Sequence, residues 1–423
     1  MSDLQKQYRV EAWDILQHIF KVNLINDHTL HFVAAFSSQI DLGRFKKAVA
    51  VSAEVFPFLG CRFNEQGRKP VWVSCADAID KMVTLIETEQ TDVAVRNFLC
   101  SEVDAFSGPQ IKIGVIRDAG TDKIVILINH MLCDAAGFKD YLYLLSSIYN
   151  QIGQNPDFRP QKSQSRRISQ ISKAFSCIRR IEILASKNDM LTHDETKFQL
   201  EGDLNNPFIE IRNIPEETFI GLKQYAKQHN ATINDMILTA YIRRLYQLFG
   251  HVITIPSTVD LRKYLPEHRA KGICNLCTNL SCNIGVELGN TFADTLEKVK
   301  KSMDKEKDSM ACIKSISLLE KLFNILPYHL FKSIVVRGFK NAPIAFTNIG
   351  IIDKERFWLE NLQIKDAYMT GSIKYNPYFQ LAISTYDNKP TLSVNLFGSK
   401  KDQNKISDFL DQILQELYGV ISD

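Results

Sequence analysis

The stretch that decides the fold runs from Lys123 to Gly137 and reads KIVILINHMLCDAAG. Ile124 to Ile128 is an uninterrupted apolar run of strand length. Asn129 and His130 end it, Asp134 follows four residues after the histidine, and Ala135, Ala136 and Gly137 keep the turn small. Beyond them Phe138, Tyr141, Leu142, Leu145, Ile148, Tyr149 and Ile152 recur at spacings of three and four, one face of an α-helix. Residues 130–137 are thus a strand-to-helix junction, where side chains are often presented to a cleft. A buried imidazole without task or partner costs roughly 1–3 kcal/mol. His130 is therefore read as a working group rather than a filler of the core.

Working outward, Gln110–Ile116 and Lys123–Asn129 are two strands joined by the turn-forming Asp118-Ala119-Gly120, a β-hairpin. His28–Ser38 is a further strand, Asp41 opens an amphipathic helix that stops before Pro57, and a second helix spans about Asp92–Val103. From Gly153 to Ser172 the chain turns to Gln, Ser, Pro and Arg without apolar periodicity, and is read as a linker or crossover. Its basic residues Arg159, Lys162, Arg166 and Arg167, with Lys173 just beyond, are read as solvated surface, the alternative being contact with an anion.

In the second half, Pro215 takes a first helical position before Phe219, Leu222 and Tyr225. Thr232 and Asp235 make a capping-box-like start to another helix. Strands are expected at Val252–Thr258, Ile344–Asn348, Gln380–Tyr386 and Thr391–Phe397, and helices near 291–305, 316–334 and 403–418. No fixed-period repeat is found.

At 423 residues the chain exceeds one ordinary core and predicts two domains, 1–175 and 176–423. Hydrophobic (45%) and charged (23%) residues stand in ordinary globular balance. A net charge of +3 argues against a dedicated nucleic-acid binder. No window approaches the roughly 20 apolar residues of a membrane helix, and the start lacks the pattern of a secretory signal, so a cytoplasmic protein without membrane insertion is expected. The nine scattered cysteines suit reduced thiols.

His130-x-x-x-Asp134 resembles the motif of the condensation and chloramphenicol-acetyltransferase-like superfamily, often written HHxxxDG. Two later segments strengthen the resemblance: Val259-Asp260-Leu261-Arg262 followed by GICNLCTNL, and Phe346-Thr347-Asn348-Ile349-Gly350 with its Asn-x-Gly. Asn129 stands where the double-His form has its first histidine, Ala135 replaces the glycine after the aspartate, and no DFGWG segment occurs. The alcohol acetyltransferase or free-standing condensation type is the branch that fits.

The resemblance implies an α/β fold of two similar chloramphenicol-acetyltransferase-like lobes, α+β two-layer sandwiches in one chain, with a tunnel at their interface. It implies an acyltransferase that moves an acyl group from a thioester, acyl-CoA or a phosphopantetheine carrier, to a hydroxyl or amine. His130 would be the general base, since its ordinary pKa near 6.5 suits proton removal at neutral pH. Asp134 and Arg262 would pair to hold the loop, and Gly137, Thr347 and Asn348 would contact substrate. A permanently bound cofactor is not expected, nor a metal: Cys274 and Cys277 have the spacing of a ligand pair, but a second pair is missing. Cys133 as an acyl carrier is weighed and set aside. The expected partners are a small acyl acceptor and an acyl or peptidyl carrier protein, with a monomer as the working unit. The competing readings are an inactive condensation-like assembly module and a carrier-dependent peptide-forming enzyme. Acyl length, acceptor identity, donor type and the oxyanion-stabilising group are not encoded legibly.

Overall fold

The computed structural model describes residues 6–161, 165–185, 194–309, 311–338 and 340–422. The hairpin of Ile111–Arg117 and Asp122–Asn129 lies inside a five-stranded sheet, ordered Ile364–Thr370, Thr29–Phe36, Asp122–Asn129, Ile111–Arg117, Val83–Glu87. The apolar run is continuous because both faces of its strand are covered. Ile124, Ile126 and Ile128 enter the main core, while Val125 and Leu127 face a smaller cluster with Val95 and Leu99 of the helix Thr91–Leu99. The helices Leu42–Val55, capped by Asp41, and Ala135–Gln154, capped by Asp134, pack on each other.

A second, seven-stranded sheet organises the rest of the chain. Its path is Cys277–Cys282, Ile255–Asp260, Ile344–Ile352, Phe379–Tyr386, Lys389–Phe397, Lys374–Tyr375, with Pro207–Asn213 also paired to Lys389–Phe397. Ile233–Phe249 and Lys400–Ser422 are among its helices. Three short strands, Gln7–Arg9, Val71–Ser74 and Cys61–Asn64, form a third sheet. The fold is two α/β lobes in one chain. The strand Ile364–Thr370, late in sequence, pairs antiparallel with Thr29–Phe36 in register Ala367↔Ala34. It is tied to the second sheet by Met369 N–H donating to Ser384 Oγ (3.0 Å) and Asn395 Nδ2 donating to Thr370 Oγ1 (2.9 Å).

Several sequence expectations are corrected. The single helix at 316–334 is two, Ala311–Ile325 and Tyr328–Gly338, separated at Pro327, which cannot continue a helix. Pro215 precedes the helix Glu216–Gln228 instead of opening it. The basic segment is not uniformly solvated: Arg159, Arg167 and Lys173 are exposed, but Arg166 is 6% exposed and bound to Asp14. Lys162 lies outside the described residues. The box at Thr232 and Asp235 forms as read, each side chain accepting the other's backbone N–H.

Candidate active site

His130 leaves its strand partly buried and facing a cavity of about 1550 Å³ between the two lobes. The backbone around it is fixed first. His130 N–H donates to His28 carbonyl O at 2.7 Å, and Asn129, whose side chain bonds Gln110 and Met131 N, anchors the strand end. The ring then turns back on its own loop: Nδ1 lies 2.9 Å from the Cys133 carbonyl. A carbonyl can only accept, so Nδ1 carries the hydrogen and Nε2 keeps its lone pair. Burial is the main cause holding the imidazole below its ordinary pKa of 6.5, and the charge of Lys374 adds to it, so the neutral ring is the favoured form.

The carbonyls of His130, Met131 and Leu132 are engaged from elsewhere in the chain. Asn275 Nδ2 donates to the carbonyls of His130 (2.9 Å) and Met131 (3.2 Å). Arg166 Nη2 donates to Met131 (3.2 Å) and Leu132 (2.7 Å), while its guanidinium grips Asp14 at 2.9 and 3.0 Å. Neither role is legible in the sequence: Asn275 lies unmarked inside GICNLCTNL, and Arg166 has its partner 152 residues away, beyond any local pattern.

Asp134 caps the helix that follows and points away from the imidazole. Its Oδ1 accepts from Gly137 N (2.8 Å) and Arg262 Nη2 (3.0 Å), and its Oδ2 from Arg262 Nη1 (3.0 Å) and Leu276 N (2.6 Å). Burial pushes its pKa up, and the Arg262 charge with these four bonds outweighs that, leaving it lowered. Arg262 also donates to Asp260 Oδ1 and the Cys274 carbonyl.

Thr347 and Asn348 line the cavity opposite His130's lobe. Asn348 is spent on structure, its Oδ1 accepting from Gly350 N (2.8 Å) and its Nδ2 donating to Asn234 Oδ1 (3.2 Å). Gly350 is needed there because the strand bulges and its φ is +85°. Lys139, held below its usual pKa chiefly by burial, donates to the carbonyls of Ile349 and Ile351 around the bulge and stitches the lobes together. Gly137 is buried and outside the cavity lining, and a Cβ there would sit 2.7 Å from the Cys274 carbonyl. Its role is to let two backbones approach. Among the described residues no group of three His, Cys, Asp or Glu side chains is placed to hold a metal ion, and no helix is long and apolar enough to cross a membrane.

Residues 274–419 match the family model described as the WS/DGAT C-terminal domain, about a third of the chain. No curated protein matches in sequence. The fold is shared with polyketide synthase associated protein 5 from Mycobacterium tuberculosis, at 13% identity and a TM-score of 0.68 over 99% of both chains. It is likewise shared with the TRI3 trichothecene 15-O-acetyltransferase from Fusarium sporotrichioides (12% identity, TM-score 0.69, 99% of this chain and 97% of that one). The first condensation domain of the calcium-dependent antibiotic synthetase matches at 12% identity and a TM-score of 0.72, over 100% of this chain and 98% of that one. At these identities what is shared is the fold, the one that this acetyltransferase and this condensation domain adopt.

Proposed function

We propose that this protein is an acyltransferase that moves an acyl group from a thioester, carried on coenzyme A or a phosphopantetheine arm, to a hydroxyl or amine acceptor. The observation that carries the reading is the orientation of His130, with Nδ1 bonded to the Cys133 carbonyl and the ring facing the interlobe cavity. In the reaction, Nε2 takes the acceptor's proton as its oxygen or nitrogen attacks the acyl carbon. The tetrahedral oxyanion then collapses, the carbon–sulfur bond breaks, and the imidazolium returns the proton to the departing thiolate. Asp134 and Arg262 act by holding the loop, not by touching substrate. Thr347 supplies a hydroxyl at the cavity wall for the oxyanion, since Asn348 is already committed.

The reading assigns no resident cofactor and treats the thioester as substrate. It takes the chain as a cytoplasmic monomer of two lobes divided near residue 175, served by a small acceptor and an acyl or peptidyl carrier protein. The test is thiol release from a panel of acyl-CoA and acyl-pantetheine donors, with small alcohols and amines as acceptors, comparing wild type with His130→Ala. Acceptor-dependent thiol release that vanishes in the variant supports the reading. Equal turnover by the two proteins removes it.

A further inference from the structure

We propose that Lys374 and Ser372 form a carboxylate-binding subsite inside the cavity, so that a substrate brought to His130 carries an acid group. This rests on the reading above for the cavity holding substrate. Ser372 and Lys374 stand two residues apart and both line the cavity, whereas Ile373 between them is 1% exposed and gives its N–H to Asp27 Oδ1 at 2.8 Å. That is the alternation of an extended chain, and it places the two polar side chains on one side.

Both are without partners among the described residues. The Ser372 hydroxyl is buried, the residue being 4% exposed, and meets no hydrogen-bonding atom. Lys374 Nζ makes neither an ion pair nor a hydrogen bond, although the backbone on either side is tightly held. Asp27, the carboxylate whose charge supports Lys374, turns its Oδ1 to the amides of Thr29 and Ile373 instead. Lys374 is half-buried at the cavity wall, Asp27 forms no ion pair with it, and burial brings its pKa down to about 8. A carboxylate has two oxygens, one for the ammonium and one for the hydroxyl, and would satisfy both groups at once. It would also offset the Lys374 charge, which adds to burial in lowering the His130 pKa.

The acid group can belong to the acceptor, as in a hydroxy or amino acid, or to a carboxyacyl donor, and matched probes separate these. Calorimetric titration of the full chain would compare 3-hydroxybutyrate with 3-hydroxybutyramide for the acceptor, and succinyl-pantetheine with butyryl-pantetheine for the donor. In one arm the acid should bind roughly 10-fold or more tightly than its neutral partner. Lys374→Met should abolish that preference, Lys374→Arg should retain part of it, and Ser372→Ala should weaken it. Titration in His130→Ala as well keeps the outcome independent of turnover, so an inactive protein that still prefers the acid upholds this subsite while sinking the catalytic reading. Equal binding of acid and neutral partner in both arms, no binding of either acid, or full preference in Lys374→Met overturns the proposal. Should Lys374→Met fail to fold, Lys374→Arg and Ser372→Ala decide: unchanged preference in both overturns it.

Discussion

Arg262 and two backbone amides fill every acceptor position of Asp134, so this carboxylate has no lone pair left for His130. The pair is buried, with side-chain exposures of 5% and 4%. Removing one partner strands the other charge inside the protein. Arg262→Ala is expected to cost about 3–5 kcal/mol in urea unfolding, with activity falling alongside. A loss below about 1 kcal/mol would show that the pair does not hold the loop.

His130→Ala tests the opposite kind of residue. Its ring touches the cavity, and its one structural bond is to the loop beside it. With a productive substrate pair, kcat should fall about 100-fold or more while the melting curve stays close to wild type. A large drop in melting temperature would assign the ring to structure.

The acid limb of kcat/KM follows from the same imidazole. Because its pKa is lowered from 6.5, the neutral base persists as pH falls below that value, and activity declines only in more acidic buffer. Lys374→Met removes a charge that lowers this pKa, so the limb should move toward higher pH. A wild-type limb at or above 6.5 would contradict the described environment.

His28 carries a stability prediction. Burial, aided by the charge of Lys21, pushes its pKa down to about 3, against 6.5 when unfolded. Above pH 6.5 the group contributes nothing to pH dependence. As pH falls below 6.5 the unfolded chain takes up the proton and the folded one does not, so stability is lost, by about 2 kcal/mol at pH 5 from this residue. His28→Asn keeps a residue that tolerates the observed φ of +55°. Chemical denaturation at pH 7.5 and 5 should show a smaller difference in the variant, and an unchanged difference would refute the assignment.

Gly137→Ala places a methyl 2.7 Å from the Cys274 carbonyl and 2.8 Å from Cys133 Cβ. The helix start and the Cys274 backbone cannot both stay in place. A loss of roughly 1–3 kcal/mol is expected, with reduced activity because His130 shares the loop. A thermal shift assay that finds the variant as stable as wild type would mean the backbones separate freely.

The local part of this architecture is legible in sequence because its causes are local. An apolar run ending in Asn129 and His130, a capping aspartate and a helical stripe are all set within thirty residues. The same holds for Thr232 and Asp235. What escapes is whatever depends on distant segments meeting. Arg166 reads as surface because its partner Asp14 and the carbonyls of Met131 and Leu132 come together only in the fold. Lys374 offers no pattern at all, since a lone lysine in a short strand becomes notable only beside a cavity. Pro327 is the local signal that outweighs the apolar periodicity running through it, because proline cannot continue a helix.

The strand Ile364–Thr370 has a consequence for how the chain is made. Until residue 370 has been synthesised, the outer edge of Thr29–Phe36 is a row of unsatisfied amides and carbonyls, a template for any passing chain. Severing the chain near residue 175 would yield a sheet missing its margin and prone to clump. The first sheet is therefore complete only once the chain has reached Thr370.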